Sequence, residues 1–145
     1  MIVLDTNVLS ELMRVNPSTA VEAWIKSNRR NTLFITAITQ AEILYGISIL
    51  PQGTRKQQLY RAAEDIFSRE FKNRILPFNH ESANQFAVIS SHRRSLGSPI
   101  SQFDAQIAAI CSVNKASIAT RNTKDFANCR IDIINPWDTT YRRTV

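Results

Sequence analysis

Four carboxylates in this chain of 145 residues stand where oxygen-based metal chemistry can be done. Asp5 comes directly after the apolar run Ile2-Val3-Leu4. Glu42 lies in the early part of the helical stretch Thr39–Leu50, which follows the run Leu33-Phe34-Ile35. Asp104 stands at the start of an apolar helical stretch, Phe103–Val113. Asp125 lies in Thr120-Arg121-Asn122-Thr123-Lys124-Asp125-Phe126, after the run Ser117-Ile118-Ala119. Asp5 and Glu42 are embedded in apolar sequence, and an ionised carboxylate there needs a compensating partner. No Lys or Arg adjoins Asp5, Glu42 or Asp104, so a divalent cation is the economical partner. Clustered carboxylate oxygens suit Mg²⁺ or Mn²⁺ rather than Zn²⁺. In phosphodiester hydrolysis such an ion orients or deprotonates water and stabilises charge on the phosphate.

Taken singly, each carboxylate also has a purely structural reading. Asp5 and Asp104 can cap helices, Glu42 can complement a helix dipole, and Asp125 can start a one-turn helix. Taken together they favour a metal site. Other chemistries find little support. There is no phosphate-binding loop pattern and no Gly-rich dinucleotide fingerprint. His80 and His92 are the only histidines, each on a helical surface stretch, which disfavours a histidine-pair mechanism. Asp5-Thr6-Asn7 lacks the second Asp that an aspartyl-phosphate phosphatase would need, and no serine sits in a nucleophile elbow. Cys111 and Cys129 make neither a disulfide framework nor a zinc site.

The elements that must position these groups alternate. Strands are expected at 2–4, 33–35, 74–78, 117–119 and 131–134. Helices are expected at 8–14, from Pro17-Ser18 onward, at 39–50, 54–71, 80–94 and 103–113. Within 39–50 the apolar face is read as Ala41, Leu44 and Ile47, with Ile43 beside it. Such alternation predicts a three-layer α/β/α domain with a central, mostly parallel sheet, one domain over 1–145. Ligands bind such sheets outside the carboxyl ends of the strands, an edge that all four carboxylates can reach.

Hydrophobic residues make up 43% and charged residues 21%, which excludes a disordered chain. No apolar run approaches a membrane span, and the start MIVLDTN is not a signal peptide, so a cytoplasmic protein is expected. The net charge of +6 is concentrated in residues 55–94, with eight basic against four acidic residues. A basic field of this kind attracts polyanions such as RNA, although a solvated helix face reads the same way.

Five stretches occur in order: Val3-Leu4-Asp5-Thr6-Asn7, Thr36 to Ile47 around Glu42, Ser98-Pro99-Ile100 with Phe103 to Ala109, Thr120-Arg121-Asn122 with Asp125-Phe126, and Ile133-Ile134-Asn135-Pro136-Trp137. Together they resemble the PIN-domain family, specifically the VapC/FitB-like toxins of type II toxin–antitoxin pairs. The resemblance covers nearly the whole chain. It implies a five-stranded parallel α/β/α fold and Mg²⁺- or Mn²⁺-dependent endoribonuclease activity. By position, Asp5, Glu42 and Asp104 match the family's acidic core. Asp5 and Asp104 would be direct metal ligands, and Glu42 would bind through water or position the attacking water. Asp125 would supply the fourth charge where Asn122 is neutral, or the site would work with one tightly held metal. Thr6 and Thr120 would orient carboxylates, and Arg121 would contact phosphate or form a structural ion pair.

The resemblance further implies a homodimer, a VapB/FitA-like antitoxin that binds operator DNA, and an antitoxin segment lying across the toxin. Leu9, Leu12, Trp24, Ile43 and Leu50 are candidates for that groove as well as for the core. The chain departs from the family at Asn122, Gln102 and Asn79. Two alternatives stay open: an interaction module that binds antitoxin or RNA without cutting, motivated by Asn122, and a DNA nuclease using the same metal chemistry.

Overall fold

The computed structural model describes residues 1–138. Five parallel strands form the sheet: β1 (Ile2–Leu4), β2 (Leu33–Thr36), β3 (Ile75–Leu76), β4 (Ser117–Ala119) and β5 (Ile133–Ile134). Their order is β3-β2-β1-β4-β5. Six α-helices accompany them among the described residues: α1 (Thr6–Leu12), α2 (Thr19–Ser27), α3 (Ala37–Ser48), α4 (Thr54–Asp65), α5 (His80–Ser95) and α6 (Gln102–Val113). The chain steps outward from β1 to β2 and β3, then returns to the other side of β1 with β4 and β5. Connections from β1 and β4 therefore diverge, and the crevice at their carboxyl ends is the natural place for a ligand.

Side chains alternate across the strands and divide the core in two. Leu4, Leu33, Ile35 and Ala119 pack with Val8, Leu9, Val21, Ile43, Ile47 and Ala63 of α1–α4. Val3 and Ile118 pack with Ile89 of α5 and with Ile107, Ala108, Ala109 and Cys111 of α6, while Phe34 lies against the same cluster. The three-layer α/β/α arrangement is the expected one. Both cysteines are buried and free. No described helix is long and apolar enough to cross a membrane.

Several boundaries and faces differ from the sequence reading. Helix α1 starts at Thr6, not Val8, because the Asp5 carboxylate accepts the Thr6 N–H at 2.8 Å and caps it directly. In α3 the buried row is Thr39, Ile43 and Ile47, whereas Ala41 and Leu44 face outward. The cap sets this phase: Thr36, buried at the end of β2, accepts the Thr39 N–H at 3.1 Å and holds Thr39 inward. The expected helix 54–71 stops being α-helical at Asp65 and continues as a wide turn, Ile66–Glu70, in which the Phe71 N–H reaches the Ile66 carbonyl at 2.9 Å. Asn79, where the family often carries an acid, caps α5 by accepting the Ser82 N–H at 2.9 Å, a task Asn and Asp perform alike.

Helix α5 ends in a Schellman motif. The Ser98 N–H bonds the Arg93 carbonyl and the Gly97 N–H bonds the Arg94 carbonyl, with Gly97 at φ +72°. A Cβ at Gly97 would meet nothing within 4 Å, so a side chain there costs only backbone strain. Gly97→Ala is expected to lower stability by about 1–2 kcal/mol, as measured by urea unfolding, with the secondary structure unchanged.

Candidate functional site

Asp5 sits where β1 ends and α1 begins. Its backbone N–H still pairs with Ala119 O of β4 at 2.9 Å, so the residue belongs to the sheet while its side chain faces the crevice. It is only 5% exposed. One carboxylate oxygen accepts the Thr6 N–H; the other accepts the Thr120 hydroxyl at 2.7 Å and the Asn7 side-chain amide at 3.2 Å. Burial nevertheless dominates. It pushes the Asp5 carboxyl up from 3.8 to about 6, against the lowering effect of the Thr120 and Thr6 bonds and with the fields of Asp104 and Glu42 adding to the rise.

Glu42 lies in the second turn of α3. The Thr6 hydroxyl donates to it at 2.9 Å. Behind Thr6, Thr39 stands 2.9 Å away, hydroxyl to hydroxyl, and the Thr36 hydroxyl donates to Thr39 at 3.4 Å. If each hydroxyl donates once, the chain runs Thr36, Thr39, Thr6, Glu42, and its last proton points at the carboxylate. Burial raises the Glu42 pKa, the Thr6 bond opposes it, and the field of Asp104 adds to it.

Asp104 occupies the first turn of α6 but does not cap it. Ser101 does, accepting the Asp104 N–H at 3.3 Å. The Asp104 carboxyl is therefore left to the crevice. Its pKa is raised, first by burial and then by Asp125, with Ser101 and Arg93 pulling the other way. Asp125 lies in a short 3-10 turn, Thr123–Phe126, and is exposed. Among the four, Asp5, Glu42 and Asp104 thus share one field, while Asp125 reaches it through Asp104.

Asn122 is exposed, and its N–H is accepted by the Thr120 hydroxyl at 3.1 Å. The Arg121 guanidinium lies over the Trp137 ring, 5.1 Å from its centroid, and forms no ion pair among the described residues. Its backbone N–H is tied to the Asn7 side-chain oxygen at 3.2 Å. Asn7 therefore joins Asp5, Thr120 and Arg121, a role the sequence reading did not give it. Its signal was a side-chain amide two residues past Asp5, within reach of the same carboxylate. Thr39 was missed likewise; its signal was the three-residue spacing from the Thr36 cap.

All these donors are oxygens, which fits a hard cation. Among the described residues no three His, Cys, Asp or Glu side chains converge closely enough to hold an ion unaided. A groove of about 320 Å³ opens beside Thr6 and Glu42, floored by Ile43, Ile47, Leu50 and Leu59 and flanked by Arg14 and Arg55. Of the residues expected along a groove, Leu9 is core, Leu12 and Trp24 pack against the core, and Ile43 and Leu50 line this groove.

The pattern of the PIN domain matches residues 2–131. A VapC ribonuclease of Sinorhizobium fredii is 37% identical over 95% of this chain and 99% of its own. Toxin FitB of Neisseria gonorrhoeae is 36% identical over 94% of this chain and 99% of its own. The crystal structure of FitAcB from Neisseria gonorrhoeae superposes with a TM-score of 0.89 at 36% identity, covering 94% of this chain and 99% of that one. A FitAB structure bound to a DNA fragment has the same TM-score and identity, covering 95% and 96%. With a match across the length of the chain and a shared fold, this protein belongs to the PIN-domain family and, within it, to the VapC/FitB group.

Proposed function

We propose that the protein is the toxin of a toxin–antitoxin pair, a Mg²⁺- or Mn²⁺-dependent endoribonuclease that hydrolyses RNA phosphodiester bonds in the acidic pocket. One observation carries the reading: Asp5, buried at the point where the strand order reverses, shares a field with Glu42 and Asp104, and no ion pair among the described residues neutralises any of the three. The names of the VapC relatives, as ribonucleases, point the same way.

In this reading Asp5 and Asp104 would hold the ion, and Glu42 would bind it through water. When bound, the ion supplies Lewis acidity for attack of water on the phosphodiester. The chain does the rest. Three donors fix the Asp5 carboxylate, and Thr6 fixes Glu42. Glu42, its pKa raised by burial, can take a proton from a water beside the scissile phosphate. Asp125 adds charge next to Asp104, where Asn122 has none. Arg121, steadied on Trp137, presents its guanidinium at the rim for phosphate.

The partners follow from the same reading. The antitoxin lays a segment in the groove beside Glu42 and binds operator DNA itself; the similar FitAB and Rickettsia felis VapBC2 structures are bound to DNA fragments. The toxin works as a homodimer in the cytoplasm.

Calorimetric Mn²⁺ titration and RNA cleavage by antitoxin-free protein test this directly. Asp5→Asn and Asp104→Asn are each expected to weaken Mn²⁺ binding severely and to cut cleavage by at least about 100-fold. Cleavage unchanged in both variants overturns the metal assignment. RNA binding without cleavage in the wild type, with Mn²⁺ supplied, turns the reading toward the non-cutting interaction module.

Burial of Asp5 has a second consequence, for stability without metal. A raised carboxyl pKa favours the folded chain most below about pH 4, and that contribution is lost as the pH rises through about 6. Over this window the metal-free native state loses on the order of 3 kcal/mol. Asp5→Asn removes the ionisation but leaves the Asn7 amide without one acceptor. Denaturant unfolding in EDTA is expected to show the variant less stable than wild type by up to about 1 kcal/mol near pH 4 and more stable by about 2 kcal/mol at pH 8. A variant less stable at every pH would mean that the Thr120 and Asn7 bonds outweigh the cost of burial.

A further inference from the structure

Arg93, in the last turn of α5, is an arginine inside the protein, only 4% exposed. Among the described residues it has no carboxylate within ion-pair distance. Its fork is spent on main-chain oxygens of two separate segments. The Nε–H donates to Ser98 O at 2.7 Å, and one terminal nitrogen donates to Asp125 O at 2.7 Å and Ala127 O at 3.0 Å. The remaining contacts are to the Ser98 hydroxyl at 3.3 Å and the Cys129 sulfur at 3.7 Å.

A buried guanidinium is expensive to desolvate, and this one is tolerated because each of its three nitrogens has an acceptor. What they meet matters more. Ser98 leads through Pro99 and Ile100 to Ser101, the cap of the helix that bears Asp104. Asp125 and Ala127 belong to the turn after β4. No strand pairing joins these two segments. We propose that Arg93 is a positioning residue for the acidic site, clamping the Asp125 turn to the start of the Asp104 helix and so setting how the two carboxylates face each other. Its charge also works on the site from behind, opposing the mutual repulsion of Asp104 and Asp125. These contacts leave from two separate nitrogens of the fork, Nε to Ser98 O and one terminal nitrogen to Asp125 O and Ala127 O, whereas an ammonium carries its donors on one atom.

The inference rests on the metal-site reading above, and the test separates the two. Mn²⁺ is titrated calorimetrically into the antitoxin-free full chain as wild type, Arg93→Met and Arg93→Lys. Hydrogen exchange of residues 121–130 is followed in the metal-free proteins. Arg93→Met, folded by circular dichroism, is expected to bind Mn²⁺ at least about tenfold more weakly and to exchange faster through 121–130, with Arg93→Lys falling between it and wild type. A purely structural role would lower the melting temperature and leave Mn²⁺ affinity untouched; wild-type affinity in folded Arg93→Met overturns the proposal. Should Arg93→Met not fold, Arg93→Lys decides, since wild-type affinity and exchange in that variant overturn it equally. Failure of the wild type itself to bind Mn²⁺ brings down the metal reading and this inference with it, whereas binding that is the same in all three proteins brings down this inference alone.

Discussion

An ionised carboxylate at the end of a central strand is among the least comfortable groups a small α/β domain can carry, and the arrangement around Asp5 is organised by that discomfort. Its position serves two structures at once, because the backbone finishes the β1–β4 ladder while the side chain opens α1. Three neutral donors meet its oxygens, yet burial still lifts the pKa to about 6. Neutral donors soften the desolvation of an anion but do not replace a counter-charge. The same residues then inherit the geometry: Thr120 also takes the Asn122 N–H, and Asn7 also takes the Arg121 N–H. The loop after β4 is thus built outward from the Asp5 carboxylate.

The second carboxylate is held by a different device. Thr36, Thr39 and Thr6 come from β2, α3 and α1, and their hydroxyls form a line that ends on Glu42. Threonine suits this work because it is stiff at χ1 and small enough to be buried. Thr36 and Thr39 are fully buried, so their hydroxyls have few partners but each other. A buried hydroxyl with one available acceptor has a settled direction. The polar line crosses from the strand to the helix that packs over it, which makes the separation of α1 and α3 a matter of hydrogen bonding as well as apolar packing.

Much of this was readable in the residues, and the division is physical. Asp5, Glu42 and Asp104 stood out because position after a strand, or at the start of an apolar helix, is a local property of the sequence. The strands and helices were visible for the same reason. What was not visible depends on contacts between distant segments. Asn7 bonds Thr120 across 113 residues, and Thr39 and Arg93 owe their places to partners that only the fold brings near. The face of α3 was misjudged because Ala41 and Leu44 look more apolar than Thr39, while the Thr36 cap fixes the phase of the helix with Thr39 inward. The wide turn at Ile66–Glu70 also lies outside periodicity, since an extra residue in a turn leaves the apolar spacing before it intact.

The placement of charge follows one logic through the molecule. Negative charge is gathered at the carboxyl ends of β1, β2 and β4, where main-chain pairing and helix starts hold it still. Among the described residues positive charge is kept out of ion-pair contact with that cluster: Arg121 is turned onto Trp137, Arg14 is paired with Glu11 at 3.1 Å, and Arg93 is buried against carbonyls. A lysine or arginine paired with Asp5 would relieve the cost of its burial and would also occupy the space beside its oxygens. The strain in the acidic pocket and the availability of its oxygens are therefore one property, and a chain that relieved the first would lose the second.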